Sequence, residues 1–309
     1  MIAVLTGCSS EHEISLKTAA LVSAALQENG YAVTELEIGP MVAGELLTLR
    51  PDAVFIASHG RFGEDGTIQG LLEILGIPYV GSATLASALA LHKGLSKSLF
   101  RQNGLPTPPA WQFSFGERWT SKLQPLYDHL LTRGALIVKP TQQGSTIGLS
   151  IVREGEELSP SIKKAFVYDD SILIEQKIEG TELAVGVLGD VEPYALPCIE
   201  IVSKNEIYDY EAKYTPGMSE HIIPPRIDPQ ISEKAMCMAL QAHLALGCRD
   251  ISRSDIIADH DGCCWLLEVN TLPGMTETSL VPDAAKAAGI SYSQLIDKLI
   301  TMALARRKR

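Results

Sequence analysis

The 309-residue chain is long enough for two or three packed units, since a domain usually holds roughly 100–200 residues. Its 46% hydrophobic and 20% charged content is that of a globular protein with a sizeable core, which excludes a disordered or low-complexity chain. The net charge of −11, from 26 basic and 37 acidic side chains, repels a phosphate backbone and argues against nucleic acid as a partner.

Ile2–Leu5 is an apolar run without a basic flank or a long apolar core, and reads as a first buried strand, not a signal peptide. No apolar run approaches the ~18 residues that span a bilayer. A cytoplasmic protein with no membrane association is expected. The cysteines, Cys8, Cys198, Cys237, Cys248, Cys263 and Cys264, form no Cys-x-x-Cys pair, so reduced, mostly buried thiols are the expectation.

Strand and helix patterns then alternate. A helix over Ser15–Asn29 ends at Gly30, strands follow at Ala32–Leu36 and Ala53–Ala57, and a helix over Thr67–Leu75 is closed by Gly76. This rhythm predicts an α/β unit with a parallel sheet, whose ligand-facing loops are Gly7–Glu13 and Ser58–Gly66. A helix over Lys93–Asn103 ends at Gly104, and Pro106, Pro108 and Pro109 mark a boundary or hinge. Strands at Leu136–Lys139, Leu149–Val152 and Ile172–Gln176 come next, with a helix near Leu158–Phe166. Further strands at Glu182–Leu188 and Tyr194–Val202 precede a helix over Pro229–Leu246 capped by Gly247. A hairpin, Ile251–Ala258 with Cys263–Asn270, and a terminal helix close an α+β arrangement. The basic run Arg306–Arg309 reads as a solvated tail that complements the helix dipole.

The hairpin is the most informative stretch. With Asp259–Gly262 as a four-residue turn, Ala258 pairs with Cys263, Asp255 with Leu266, and Arg253 with Glu268. Arg253, Asp255, Glu268 and Asn270 then share one face, and Ser254, Ile256, Leu267 and Val269 fill the other. Two carboxylates and an amide oxygen suit a hard cation such as Mg²⁺; a solvent-facing salt bridge is the alternative. The Pro273-Gly274 turn that follows leaves backbone N–H groups free for an oxyanion.

Other stretches leave two readings open. Lys139 ends a buried apolar strand before the glycine-containing loop Thr141–Gly148, and either meets an anion or snorkels to the surface. His59–Gly66 is either a tight ligand loop or a capped helix entry. Glu11 and Glu13 either bind an ammonium or complement a helix N-terminus. Tyr208–Tyr214, leading into Thr215–His221, is either a mobile lid with Lys213 reaching phosphate or an edge strand.

In this order and spacing, His59–Val80, Val138–Gly148, Tyr208–Tyr214 and Leu266–Pro282 resemble the D-alanine–D-alanine ligases of the ATP-grasp superfamily. The resemblance covers nearly the whole chain. It implies an N-terminal α/β domain over residues 1–92 and two ATP-grasp subdomains over 93–180 and 181–309. It implies ATP and two ions of Mg²⁺ or Mn²⁺ as cofactors, D-alanine as substrate, and a homodimer. By the same resemblance Lys93, Lys139 and Lys213 contact ATP and its phosphates. Glu175, Gln176 and Ile178 line the adenine pocket, Glu182 takes the ribose, and Asp255, Glu268 and Asn270 hold the metal. Glu11, Ser145 and Tyr214 serve the first D-alanine. His59, Arg253 and the Gly274 N–H serve the first substrate and the oxyanion, and Ser279 and Leu280 hold the second carboxylate. The chain departs from the family pattern at Cys8, at Gln142-Gln143, at Gln176-Lys177, at Ile207, and at His92, where aspartate is usual.

Overall fold

The computed structural model describes residues 1–7, 12–144, 146–205, 207, 215, 217–276 and 278–306. The first sheet is parallel, in the order β2 (Val33–Glu37), β1 (Ile2–Thr6), β3 (Ala53–Ile56). Both faces of β1 are covered, so its five residues are all buried and do not alternate. Ile2 and Val4 pack with Val22 and Leu26 of α1 (His12–Glu28) and with Leu295 and Leu299 of α10 (Tyr292–Arg306). Ala3 and Leu5 face Leu46 of α2 (Val42–Leu49) and Ile68 and Leu72 of α3 (Thr67–Leu75).

Helices α4 (Thr84–Leu91) and α5 (Lys93–Gln102) lead to two antiparallel sheets. One runs β4 (Ala110–Ser114), β7 (Ser171–Gln176), β5 (Leu136–Pro140), β6 (Ser150–Val152). Its apolar face meets Leu126 of α6 (Gln124–Arg133) and Leu158 and Ile162 of α7 (Gly155–Ala165). The other runs β11 (Ser219–Ile222), β10 (Ile199–Ser203), β8 (Gly180–Gly189), β12 (Asp250–Asp259), β13 (Cys264–Asn270), with β9 (Tyr194–Ala195) paired to β8. It packs on α8 (Pro229–Leu246) through Val185, Val187, Ile256 and Leu266, and Phe100 of α5 joins that cluster. Helix α9 (Leu280–Ala287) covers its opposite face through Val281 and Ala284. Among the described residues no helix is long and apolar enough to cross a membrane. The described cysteines are all free thiols; Cys237 is exposed.

Three expectations change. The stretch Tyr194–Val202 is two strands, not one: Pro197 has no N–H to donate, and the ladder stops after Ala195 and resumes at Ile199. Ser219–Ile222, which overlaps the segment read as either a lid or an edge strand, is an edge strand paired with β10. The hairpin register also differs. Ala258 pairs with Cys264, not Cys263, because Cys263 joins the turn by donating its N–H to Asp259 Oδ1 (2.8 Å). Ile256 then pairs with Leu266 and Asp255 with Glu268, so Leu267 is an extra residue at a β-bulge. Arg253 pairs with Asn270. The four polar residues still share one face, but Leu266, not Leu267, fills the core.

The basic run is not wholly a solvated tail. Arg306 reaches both carboxylate oxygens of the buried Asp250 at 2.6 Å and donates to Tyr79 O at 2.6 Å. Arg307, Lys308 and Arg309 lie outside the described residues.

Candidate active site

The two antiparallel sheets close on a cleft with about 1140 Å³ of empty space, its open mouth included. Ile137 of β5 and Ile178 line it on one side, and Ile257 of β12 and Leu267 of β13 on the other. The bulge turns Leu267 into this slot, where a flat aromatic ring would meet aliphatic walls from both sheets. Ile207 also borders it. Lys93, Lys139, Glu175, Gln176, Glu182, Asp255 and Glu268 surround the slot. All the described residues expected to bind nucleotide are thus brought together.

Lysines define one end. Lys93 is the first residue of α5, and its Nζ lies 3.2 Å from Glu268 Oε2 and donates to Gln143 O at 2.8 Å. The helix is capped by His92, whose Nδ1 accepts from Leu95 N at 3.3 Å. Lys139 is buried and ion-paired with Glu175. Burial alone would lower its pKa, but Glu175 and Glu268 prevail and hold it above the ordinary lysine value. The snorkelling alternative is therefore set aside. Lys97, which the sequence reading did not single out, is fully buried with its Nζ 2.8 Å from Glu175 Oε2. Burial pushes Lys97 down to about 8 against the pull of Glu175. Glu175 itself, despite burial, is held below the usual carboxylate range by Lys139 and Lys97.

Asp255 and Glu268 face each other across β12 and β13, with Asn270 on the same face beside Arg253. Arg253 grips Asp255 through Nε (2.7 Å) and a terminal nitrogen (2.9 Å). Among the described residues no group of three or more His, Cys, Asp or Glu side chains is arranged to hold a metal. Two carboxylates and an amide oxygen on one face nevertheless fit a hard divalent cation in donor type and placement. Asn270 Oδ1 also accepts from Leu272 N at 2.9 Å, which starts the loop that follows β13.

That loop brings the remaining residues close. Gly274 lies so near Ser279 that a Cβ would sit 2.8 Å from Ser279 Oγ. Ser279 Oγ accepts from Thr276 N at 2.9 Å and is the N-terminal flanking residue of α9. The Leu280 side chain is buried in the core, so only its backbone N–H is available to a ligand. His59, at the end of β3, is buried, with Nε2 3.2 Å from Thr18 Oγ1 and Nδ1 3.8 Å from Glu64 Oε1. It borders a small cavity shared with Leu272, Pro273 and Met275. Glu64, Lys93, Glu268 and Asn270 line a notch that joins this side to the cleft. Glu11, Ser145, Lys213 and Tyr214 lie outside the described residues.

Two facing antiparallel sheets, an apolar slot between them, and lysines and carboxylates at one end define the ATP-grasp class. Residues 99–301 match the family model described as the D-ala D-ala ligase C-terminus, and residues 42–82 the D-ala D-ala ligase N-terminus. The D-alanine–D-alanine ligase of Pelotomaculum thermopropionicum is 47% identical over 303 residues, covering 97% of this chain and 95% of its own. The ATP-complexed crystal structure of the Bacillus anthracis D-alanine–D-alanine ligase superposes with TM-score 0.85 at 33% identity, over 99% of this chain and 98% of the other. The VanG D-Ala:D-Ser ligase of Enterococcus faecalis superposes with TM-score 0.83 at 30% identity, over 98% of both chains. The chain belongs to the D-alanine–D-alanine ligase family.

Proposed function

We infer that this chain joins two D-alanines into D-alanyl-D-alanine with cleavage of ATP, a step in making the peptidoglycan precursor of the cell wall. The observation that carries this reading is the opposed Asp255–Glu268 pair at the lysine-lined end of a slot between two sheets, in a chain of this family. Residues 1–92, 93–180 and 181–309 are read as its three units, working in the cytoplasm as a homodimer.

Adenine occupies the apolar slot, with Glu175, Gln176 and Ile178 along its edge and Glu182 at the ribose. Lys93, Lys139 and Lys213 draw the phosphates to the cationic end. Asp255, Glu268 and Asn270 are the residues that hold Mg²⁺ or Mn²⁺. When bound, two such ions neutralise phosphate oxygens and align the γ-phosphoryl group.

Glu11 holds the ammonium of the first D-alanine, with Ser145 and Tyr214 as hydrogen-bonding partners and His59 behind them. Its carboxylate attacks the γ-phosphorus, giving an acyl phosphate and ADP. Ser279 Oγ and the Leu280 N–H hold the carboxylate of the second D-alanine, so its amine faces the acyl carbon. The tetrahedral oxyanion that forms meets Arg253 and the Gly274 N–H, and collapses with loss of phosphate.

Phosphate release from ATP is the direct test, run with D-alanine, L-alanine, D-serine and D-lactate as acceptors. Release with D-alanine and D-alanyl-D-alanine by mass spectrometry are expected. A dominant D-alanyl-D-lactate or D-alanyl-D-serine peak in an equimolar competition would replace this reading with a different acceptor.

A further inference from the structure

Lys97 does not border the cleft, yet it is among the largest fully buried side chains of the protein. An ammonium without access to water must be paired. Its Nζ lies 2.8 Å from Glu175 Oε2 and donates to Thr107 Oγ1, also at 2.8 Å, and Thr107 is itself buried. The other oxygen of Glu175 holds Lys139. One buried carboxylate therefore carries two ammoniums. Lys97 is dry and fixed. Lys139 lies at the cleft wall, one-tenth exposed.

The second cation exceeds what Glu175 alone requires. A single lysine would neutralise Glu175, and the two ammoniums repel each other. The surplus acquires a purpose once Lys139 lets go. To meet a phosphate, Lys139 must turn away from Glu175, and a buried carboxylate left alone would hold it back.

We propose that Lys97 is a positioning residue that releases Lys139: it keeps Glu175 neutralised while Lys139 turns to the phosphates of a bound nucleotide. The proposal rests on the reading that Lys139 meets phosphate. Without Lys97, Lys139 stays locked to Glu175, and the phosphates lose one of their partners although the adenine slot is intact.

The test is calorimetric titration of the full-length protein with adenosine and with ADP in magnesium buffer, taking the ratio of the two affinities for each variant. That ratio cancels changes confined to the adenine slot. Lys97→Met should lower it by roughly tenfold to a hundredfold, the range expected for loss of one charged contact to phosphate. Lys97→Met combined with Glu175→Gln should bring it back to near the wild-type ratio, because no carboxylate then restrains Lys139. A purely structural role for Lys97 predicts no such recovery. Lys139→Met should lower the ratio to the same value in every background. A wild-type ratio in folded Lys97→Met, with a reduced one in Lys139→Met, overturns the release role and leaves the phosphate reading standing. A wild-type ratio in Lys139→Met removes the phosphate reading and the proposal with it. If Lys97→Met does not fold, Glu175→Gln alone decides. Its ratio must equal or exceed wild type, and a fall to the Lys139→Met value overturns the proposal.

Discussion

Asp255 and Glu268 stand directly opposite each other on β12 and β13 because Leu267 is an extra residue in the second strand. The bulge does two things at once: it aligns the carboxylates and tips an apolar side chain into the slot beside them. Glu268 is also the partner of Lys93. Replacing it with glutamine keeps the shape and removes one charge from the pair. Glu268→Gln is expected to retain the circular dichroism of the wild type and lose on the order of a hundredfold in turnover. Near-normal turnover in the folded variant would overturn the metal role proposed for this pair.

His92 caps α5 through a long, neutral contact of 3.3 Å to Leu95 N. An aspartate would reach the same amide with a charge that the helix N-terminus favours. His92→Asp should therefore raise unfolding stability by roughly 0.5–1 kcal/mol, and His92→Ala should lower it by a similar amount. Urea denaturation of the three proteins gives the order. A destabilised aspartate variant would contradict the capping role.

Arg306 neutralises Asp250, which has no exposure and also accepts the Gly81 N–H at 2.8 Å. Burial raises the Asp250 pKa even with the guanidinium beside it. Arg306→Met leaves that carboxylate unpaired and should cost roughly 3 kcal/mol. Adding Asp250→Asn should recover most of the loss, since asparagine tolerates the left-handed backbone at this position (φ 62°). No recovery in the double variant would mean that the arginine stabilises through packing alone.

His243 of α8 is fully buried, with Nδ1 2.7 Å from Ser252 Oγ, and burial drives its pKa down to about 4. Its folded value lies below the unfolded one of about 6.5, so the unfolded chain takes up the proton first. Stability from this group is complete above pH ~6.5 and is lost as pH falls toward ~4, by roughly 3 kcal/mol in all. His243→Gln should lack this part of the decline. Superimposable stability curves for the two proteins between these limits would exclude His243 as its source.

The parts legible in sequence were those with local punctuation. Helices Thr67–Leu75 and Pro229–Leu246 are found at the expected bounds because each ends at a glycine in left-handed geometry, Gly76 and Gly247. Helix α4, Thr84–Leu91, was not legible: its flanking Ala83 makes no side-chain cap, and its apolar run has little helical asymmetry. The polar face shared by Arg253, Asp255, Glu268 and Asn270 was legible from alternation, but its register was not, since a bulge leaves no mark in a pattern of apolar residues. Lys97 was overlooked for a different reason. Its partner Glu175 lies on β7, far along the chain, and the local sign is that Lys97 follows Lys93 by four residues on a helix face that also carries Phe100.

The packing of α10 against β1 and β3 sets an order on the making of the protein. Leu295 and Leu299 cover Ile2, Val4 and Phe55, so these strands wait for a helix translated long after them. Until then that face of the sheet is covered by α1 alone, with the aggregation hazard that exposed apolar surface brings. A fragment of residues 1–92 keeps α1 but lacks the cover of α10.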